Sequence, residues 1–158
     1  MGGLRWRMSY SVTTINSVPR SRRRGIGFLE CSDNGRVNAK RYFDKLREKT
    51  ARDVRSRFDY WLRGGVFDKY FHGWPNDRYH KHCFVFKWKQ AGAHHRLYGF
   101  LYNPMPSINP AFQVCILVSH AQKNTEETDP SELNVVDELR NRKEVLEAVR
   151  AAFPDDYE

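Results

Sequence analysis

The apolar run at residues 112–118 (FQVCILV) sets the strongest limit on what this chain can become. A strand with greasy side chains at successive positions must be buried on both faces, so this run is the best candidate for a central strand of a sheet. It follows a stretch with three prolines, residues 103–111 (NPMPSINPA), which must be a loop. It runs into Ser119, His120, Gln122 and Lys123, an abrupt polar strand end. Two alternating segments supply neighbours. In residues 79–89, Phe84, Phe86 and Trp88 face one way while Val85, Lys87 and Lys89 face the other. Residues 90–93 make a turn, and in residues 95–102 Arg96, Tyr98, Phe100 and Tyr102 share a face. Residues 25–30 (GIGFLE) form a fourth strand candidate, with turn chemistry at Asp33-Asn34-Gly35.

Helical spacing occupies the rest. Residues 37–46 carry Phe43 and Leu46 on one face. Thr50, with Asp53 three positions on, reads as the cap of a second helix bearing Val54, Phe58, Trp61 and Leu62 and ending at Gly64-Gly65. Asp129-Pro130-Ser131-Glu132 opens a third, with Leu133, Val136, Leu139, Leu146 and Val149 in one stripe to about Ala152. The expected fold is α+β: a mostly antiparallel four-stranded sheet, an N-terminal helical hairpin packed on it, and a C-terminal helix.

The 158 residues fit one domain, drawn here at 26–153, with a basic arm at 1–25 and an acidic tail at 154–158. No apolar run approaches the roughly 20 residues that span a bilayer. Cys31, Cys83 and Cys115 are an odd count without a CxxC, which excludes a disulfide framework and a cysteine-rich zinc finger and fits a reducing, cytoplasmic setting. Residues 1–25 lack the apolar core of a secretory signal, and Trp6 breaks the myristoylation pattern. They read as a flexible leader, as an upstream start before Met8, as a transit-peptide mimic or as a nucleic-acid arm built on Arg20, Arg22, Arg23 and Arg24. The net charge of +8 is uneven: residues 1–124 carry 23 basic and eight acidic side chains, a net +15, and residues 125–158 carry four and 11, a net −7. The basic part is the expected face toward phosphate.

Three constellations could carry chemistry. Lys87, Lys89, Arg96, His120 and Lys123 could gather on one sheet surface and suit RNA cleavage, in which a 2′-hydroxyl attacks the adjacent phosphate and cations stabilise the growing charge; from spacing alone, a solvated sheet face is what such lysines usually mean. His80-x-His82 with His72, His94, His95 and His120 could hold zinc, but no carboxylate or cysteine stands at ligand spacing except Cys83, which points to the opposite face from His82, and no metal or other cofactor is expected. The aromatics of the two alternating strands could stack RNA bases, and under two helices they fit a core better.

The order and spacing of several strings resemble the phage-type HigB branch of the RelE/ParE toxin superfamily, from about Gly27 to Leu146. The strings are Gly27-Phe28-Leu29-Glu30, Arg57 to Gly65, Arg96-Leu97-Tyr98, and ILVSHAQKNTEET (residues 116–128) followed by Pro130. The resemblance implies the toxin of a type II toxin-antitoxin system. It would be a metal-independent mRNA endonuclease, ribosome-associated or free, that arrests translation and growth until a helix-turn-helix antitoxin neutralises it. It implies that Arg96 and Lys123 bind the scissile phosphate and that His120 is general acid or base. Lys87 and Lys89, with His95, Tyr98 and the arginines Arg22, Arg23 and Arg24, would hold RNA. The chain departs from the pattern at Glu126-Glu127 and in lacking a tyrosine after Lys123. A ParE-like topoisomerase inhibitor and a non-catalytic basic RNA- or DNA-binding accessory protein are the alternatives.

Overall fold

A computed structural model describes residues 8–15 and 17–154. The elements run β1 (Ser11–Thr14), β2 (Arg24–Glu30), α1 (Ala39–Asp44), α2 (Glu48–Leu62), β3 (Phe71–Gly73), β4 (Cys83–Gln90), β5 (Ala93–Tyr102), β6 (Gln113–Lys123), α3 (Pro130–Arg140) and α4 (Lys143–Ala152). The strands form one mixed sheet in the order β1-β2-β6-β5-β4-β3. β2 and β6 pair in parallel, Arg24 with Gln113 through Phe28 with Leu117, and the other neighbours are antiparallel.

This corrects the expected four-stranded sheet with a helical hairpin and one C-terminal helix. Among the described residues there are six strands and four helices, with α1 and α2 over one face and α3 and α4 over the other. β1 lies inside the arginine-rich leader: Val12 pairs with Leu29, and Val18 is buried against the α1/α2 side. Residues 1–7, the start of the proposed arm, lie outside the described residues, as does most of the acidic tail. The second helix begins at Glu48, two residues before the expected Thr50 cap. The last helix is two, broken at Asn141 and Arg142.

Periodicity explains which face each element buries. α2 turns Ala51, Val54, Phe58, Trp61 and Leu62 toward Phe28, Phe84, Phe86, Leu97 and Leu117. Asp129 caps α3, its carboxylate accepting from the Ser131 N–H at 3.0 Å with Pro130 at the first helical position, and Leu133, Val136 and Leu139 then pack on Val85, Tyr98, Phe100 and Ile116. β6 is buried on both faces through Val118 and continues to Lys123 beyond the expected polar end. It gets there through a bulge: Gly99 faces Leu117 but Tyr98 faces Ser119, leaving Val118 as the extra residue. Gly99 is needed there, because a Cβ would lie 2.3 Å from the Ile116 carbonyl oxygen.

Candidate nucleic-acid interface

The bulge decides which side chains can meet. Alternation resumes out of phase after Val118, so His120 pairs with Leu97 and turns to the α1/α2 face, while Lys123 pairs with His94 and turns to the other. The sheet therefore separates the residues that the sequence groups as one catalytic set. His95 and His120 lie on the α1/α2 side, and Lys87, Arg96, Tyr98 and Lys123 on the α3/α4 side.

On the α1/α2 side the two histidines are part of a stacked aromatic group. The Tyr42 and His120 rings lie 3.2 Å apart at 10°, and Trp88 stacks on His95 at 5.4 Å. The Tyr42 hydroxyl bonds His95 Nδ1 at 2.8 Å, and the same nitrogen meets His120 Nε2 at 3.1 Å. Burial first, then the neighbouring His95, pushes His120 down to about 4, and burial lowers His95 as well. Both rings are neutral at neutral pH. His120 then has no proton to give as an acid there, and its Nε2 is already engaged by His95 inside the stack.

On the α3/α4 side the cations divide. Arg96 is 3% exposed and bonded throughout: Nη1 donates to the Tyr98 hydroxyl at 3.2 Å and to Thr128 Oγ1 at 2.9 Å, and Nη2 donates to the Glu126 carbonyl. Lys123 pairs with Glu132 at 2.8 Å and donates to the Glu127 carbonyl at 3.0 Å. Two of the three expected catalytic residues thus hold segment 124–132 to the sheet. Tyr98 is fully buried, its hydroxyl pushed up to about 12 by burial. Lys87 differs: its side chain is half-buried and its ammonium forms no hydrogen bond or ion pair among the described residues. Burial, then Arg96, lowers its pKa. Lys89 is exposed beside it.

Lys87, Lys89 and Arg96 line a cleft of about 760 Å³ at the β4–β5 end, closed on its other sides by Arg57, Tyr70 and His72. Asp68 and Glu126 are the carboxylates on its wall. His72 pairs with Val85 in register, two positions from Lys87 on the adjoining strand. Burial, then Lys87, pushes it down to about 4, with Arg96 adding to the effect, so it stands neutral in the cleft.

The remaining sequence candidates lie elsewhere. Arg22 and Arg23 are exposed at the start of β2, ten positions along β6 from Lys123, which at strand rise is about 30 Å. Arg24 lies over the Trp61 ring, 4.6 Å from its centroid, and donates to the Trp61 carbonyl at 2.5 Å. His80 bonds Asn134 at 2.6 Å and Asp77 at 3.3 Å, tying the loop before β4 to α3. Among the described residues no three His, Cys, Asp or Glu side chains gather as a metal-ligand set, and no helix is long and apolar enough to cross a membrane. Sequence reasoning misses Arg57, Tyr70 and His72 as a group. Arg57 entered only within a matching string and His72 only among the possible zinc ligands, because the cleft depends on a three-residue strand, β3, that has no readable period. No family model, no curated protein and no solved structure matches this chain.

Proposed function

We propose that this chain is a metal-independent endoribonuclease of the mRNA-cleaving toxin kind, acting in the cytoplasm, and that Lys87 rather than Arg96 or Lys123 meets the scissile phosphate. The observation that carries the reading is the cleft itself: an unpaired, half-buried ammonium beside a neutral imidazole, under a wall richer in cations than in carboxylates. In the proposed reaction the RNA 2′-oxygen bonds to phosphorus and the bond from phosphorus to the 5′-oxygen breaks. The products are a 2′,3′-cyclic phosphate and a 5′-hydroxyl. Neutral His72 takes the 2′-hydroxyl proton. His94, on the same cleft wall, is the group placed to return a proton to the leaving oxygen. Lys87 and Lys89 stabilise the charge that develops on the phosphoryl oxygens. Growth arrest and neutralisation by a helix-turn-helix antitoxin belong to the same proposal.

The test is single-turnover cleavage of an end-labelled RNA in EDTA by the full chain. Cyclic-phosphate ends are expected, with Lys87→Ala and His72→Ala each slowing the reaction about 100-fold. Cleavage of a substrate carrying 2′-O-methyl at the cut site would overturn the mechanism. A second reading, a non-catalytic RNA-binding protein, is favoured by the internal bonding of Arg96 and Lys123. It predicts that RNA is retained with no new ends.

A further inference from the structure

Beyond the phosphate-facing cations, segment 63–70 between α2 and β3 carries an unusual amount of exposed apolar surface. Val66 is 79% exposed, Phe67 40% and Tyr70 38%, and Tyr60 on the last turn of α2 is exposed beside them. Phe67 and Tyr70 meet edge to face at 4.5 Å, so the two rings form one aromatic step and not two scattered side chains. The Arg57 guanidinium lies 4.2 Å from the Tyr70 centroid. Its Nη1 donates to the Asp53 carbonyl, while its Nε–H is shielded from solvent and has no acceptor. A shielded donor without a protein partner is costly and is met by water or by an acceptor that a ligand brings.

A second cleft, about 660 Å³ and lined by Trp61, Val66, Phe71 and Phe84, adjoins the first. The two share Asp68, His72 and Lys87, so they form one channel across the β3–β4 edge with Lys87 at the junction. A channel with a cation at its midpoint and rings along its wall has the alternation of a nucleic-acid strand, in which each phosphate is flanked by bases.

We infer that this channel is a base-stacking subsite: an unpaired nucleobase of a single-stranded RNA lies on the Phe67–Tyr70 step, with its 3′ or 5′ phosphate at Lys87 and an acceptor oxygen or ring nitrogen of the nucleotide on Arg57 Nε–H. This deepens the RNA reading above and rests on it. The occupant is an RNA strand rather than a protein because the first cleft sets Arg57, Lys69, Lys87, Lys89 and Arg96 against two carboxylates, Asp68 and Glu126, a polyanion's complement. It is single-stranded because a ring offers its face only to a base whose own face is free. The residues assign no base identity.

The experiment uses the full chain and three probes labelled alike: a ten-nucleotide single strand of mixed sequence with 2′-O-methyl riboses to prevent cleavage, the same strand with abasic sites throughout, and its blunt duplex. Wild type should prefer the base-bearing single strand over the other two. Phe67→Ala and Tyr70→Ala should each weaken binding of that strand about tenfold and leave the abasic strand unchanged, with thermal melts confirming that the variants fold. Lys87→Ala should weaken the base-bearing and abasic strands alike. If Phe67→Ala and Tyr70→Ala weaken both equally, or weaken neither, the stacking subsite is wrong while the Lys87 cleft stands. If wild type binds none of the probes, the RNA reading fails with it. If the variants leave RNA binding intact but lose a co-purifying protein, the step is a protein-docking surface and the inference is overturned.

Discussion

The two sides of one sheet end hold basic side chains that differ in how far their bonding is met inside the chain. On the α1/α2 side, His95 and His120 spend their ring nitrogens on each other and on the Tyr42 hydroxyl, inside a stack that includes Trp88. On the α3/α4 side, Lys87 keeps a half-buried charge with no partner while Arg96, on the adjoining strand, has three. Residue type does not separate these cases, since histidine and arginine are the more usual choices for catalysis and phosphate binding. Partnership separates them. A buried group whose hydrogen bonds are met inside the chain contributes to the fold, and breaking those bonds to bind a ligand costs what the fold gained.

That difference can be broken most directly at Arg96. Arg96→Ala leaves the buried Tyr98 hydroxyl, Thr128 and the Glu126 carbonyl without their donor, so we expect a stability loss of about 3 kcal/mol in urea denaturation. A variant as stable as wild type but unable to bind RNA would show that Arg96 belongs to the substrate and would erase the distinction. Lys87→Ala should behave in the opposite way. It should change stability by no more than about 0.5 kcal/mol and weaken RNA binding about tenfold, measured by fluorescence anisotropy.

The smallest expected effect concerns the histidine stack. His95 and His120 have folded pKa values below that of an unfolded histidine, so the unfolded chain takes up protons first as pH falls. Their contribution is fully present above about pH 6.5 and is lost as pH falls from there toward 4. His72 has the same sign, while His80, raised chiefly by its bond to Asn134, has the opposite one. Denaturation at pH 7 and pH 5 should show wild type weakening at the lower pH, and His120→Gln should weaken less. An unchanged slope in that variant would mean the stack is open to protons.

Local patterns carried much of this into the sequence. The alternation of Phe84, Phe86 and Trp88 against Val85 and Lys87 is an imprint of two buried faces, and the Asp129-Pro130 start of α3 is read from cap chemistry alone. The bulge at Val118 was not legible, because an extra residue in a strand leaves the composition unchanged and reverses the side of everything after it. A three-residue spacing from His120 to Lys123 already forbids a shared face in a regular strand, and the bulge changes which face each takes. β1 is four residues of SVTT among arginines and serines, too short for its period to stand out. The break at Asn141 and Arg142 has no glycine or proline to mark it. The cleft was hidden for a different reason: Arg57, His72 and Lys87 come from three elements and meet only through tertiary packing.

The parallel pairing of β2 with β6 has a consequence for the order in which the molecule can come into being. β2 is made early and bonds, on its inner side, to a strand that begins 83 residues after its own last residue, since Glu30 closes one and Gln113 opens the other. Until β6 leaves the ribosome, β1 and β2 have no strand pairing to β3, β4 and β5, only their shared packing under α2, and the centre of the sheet is a gap. The β3–β5 meander can form first from local turns, carrying Lys87 and His72, but Arg96 acquires Glu126 and Thr128 only after the missing strand is inserted. A chain of this design reaches a fully bonded Arg96 only after residues 113–128 have been made.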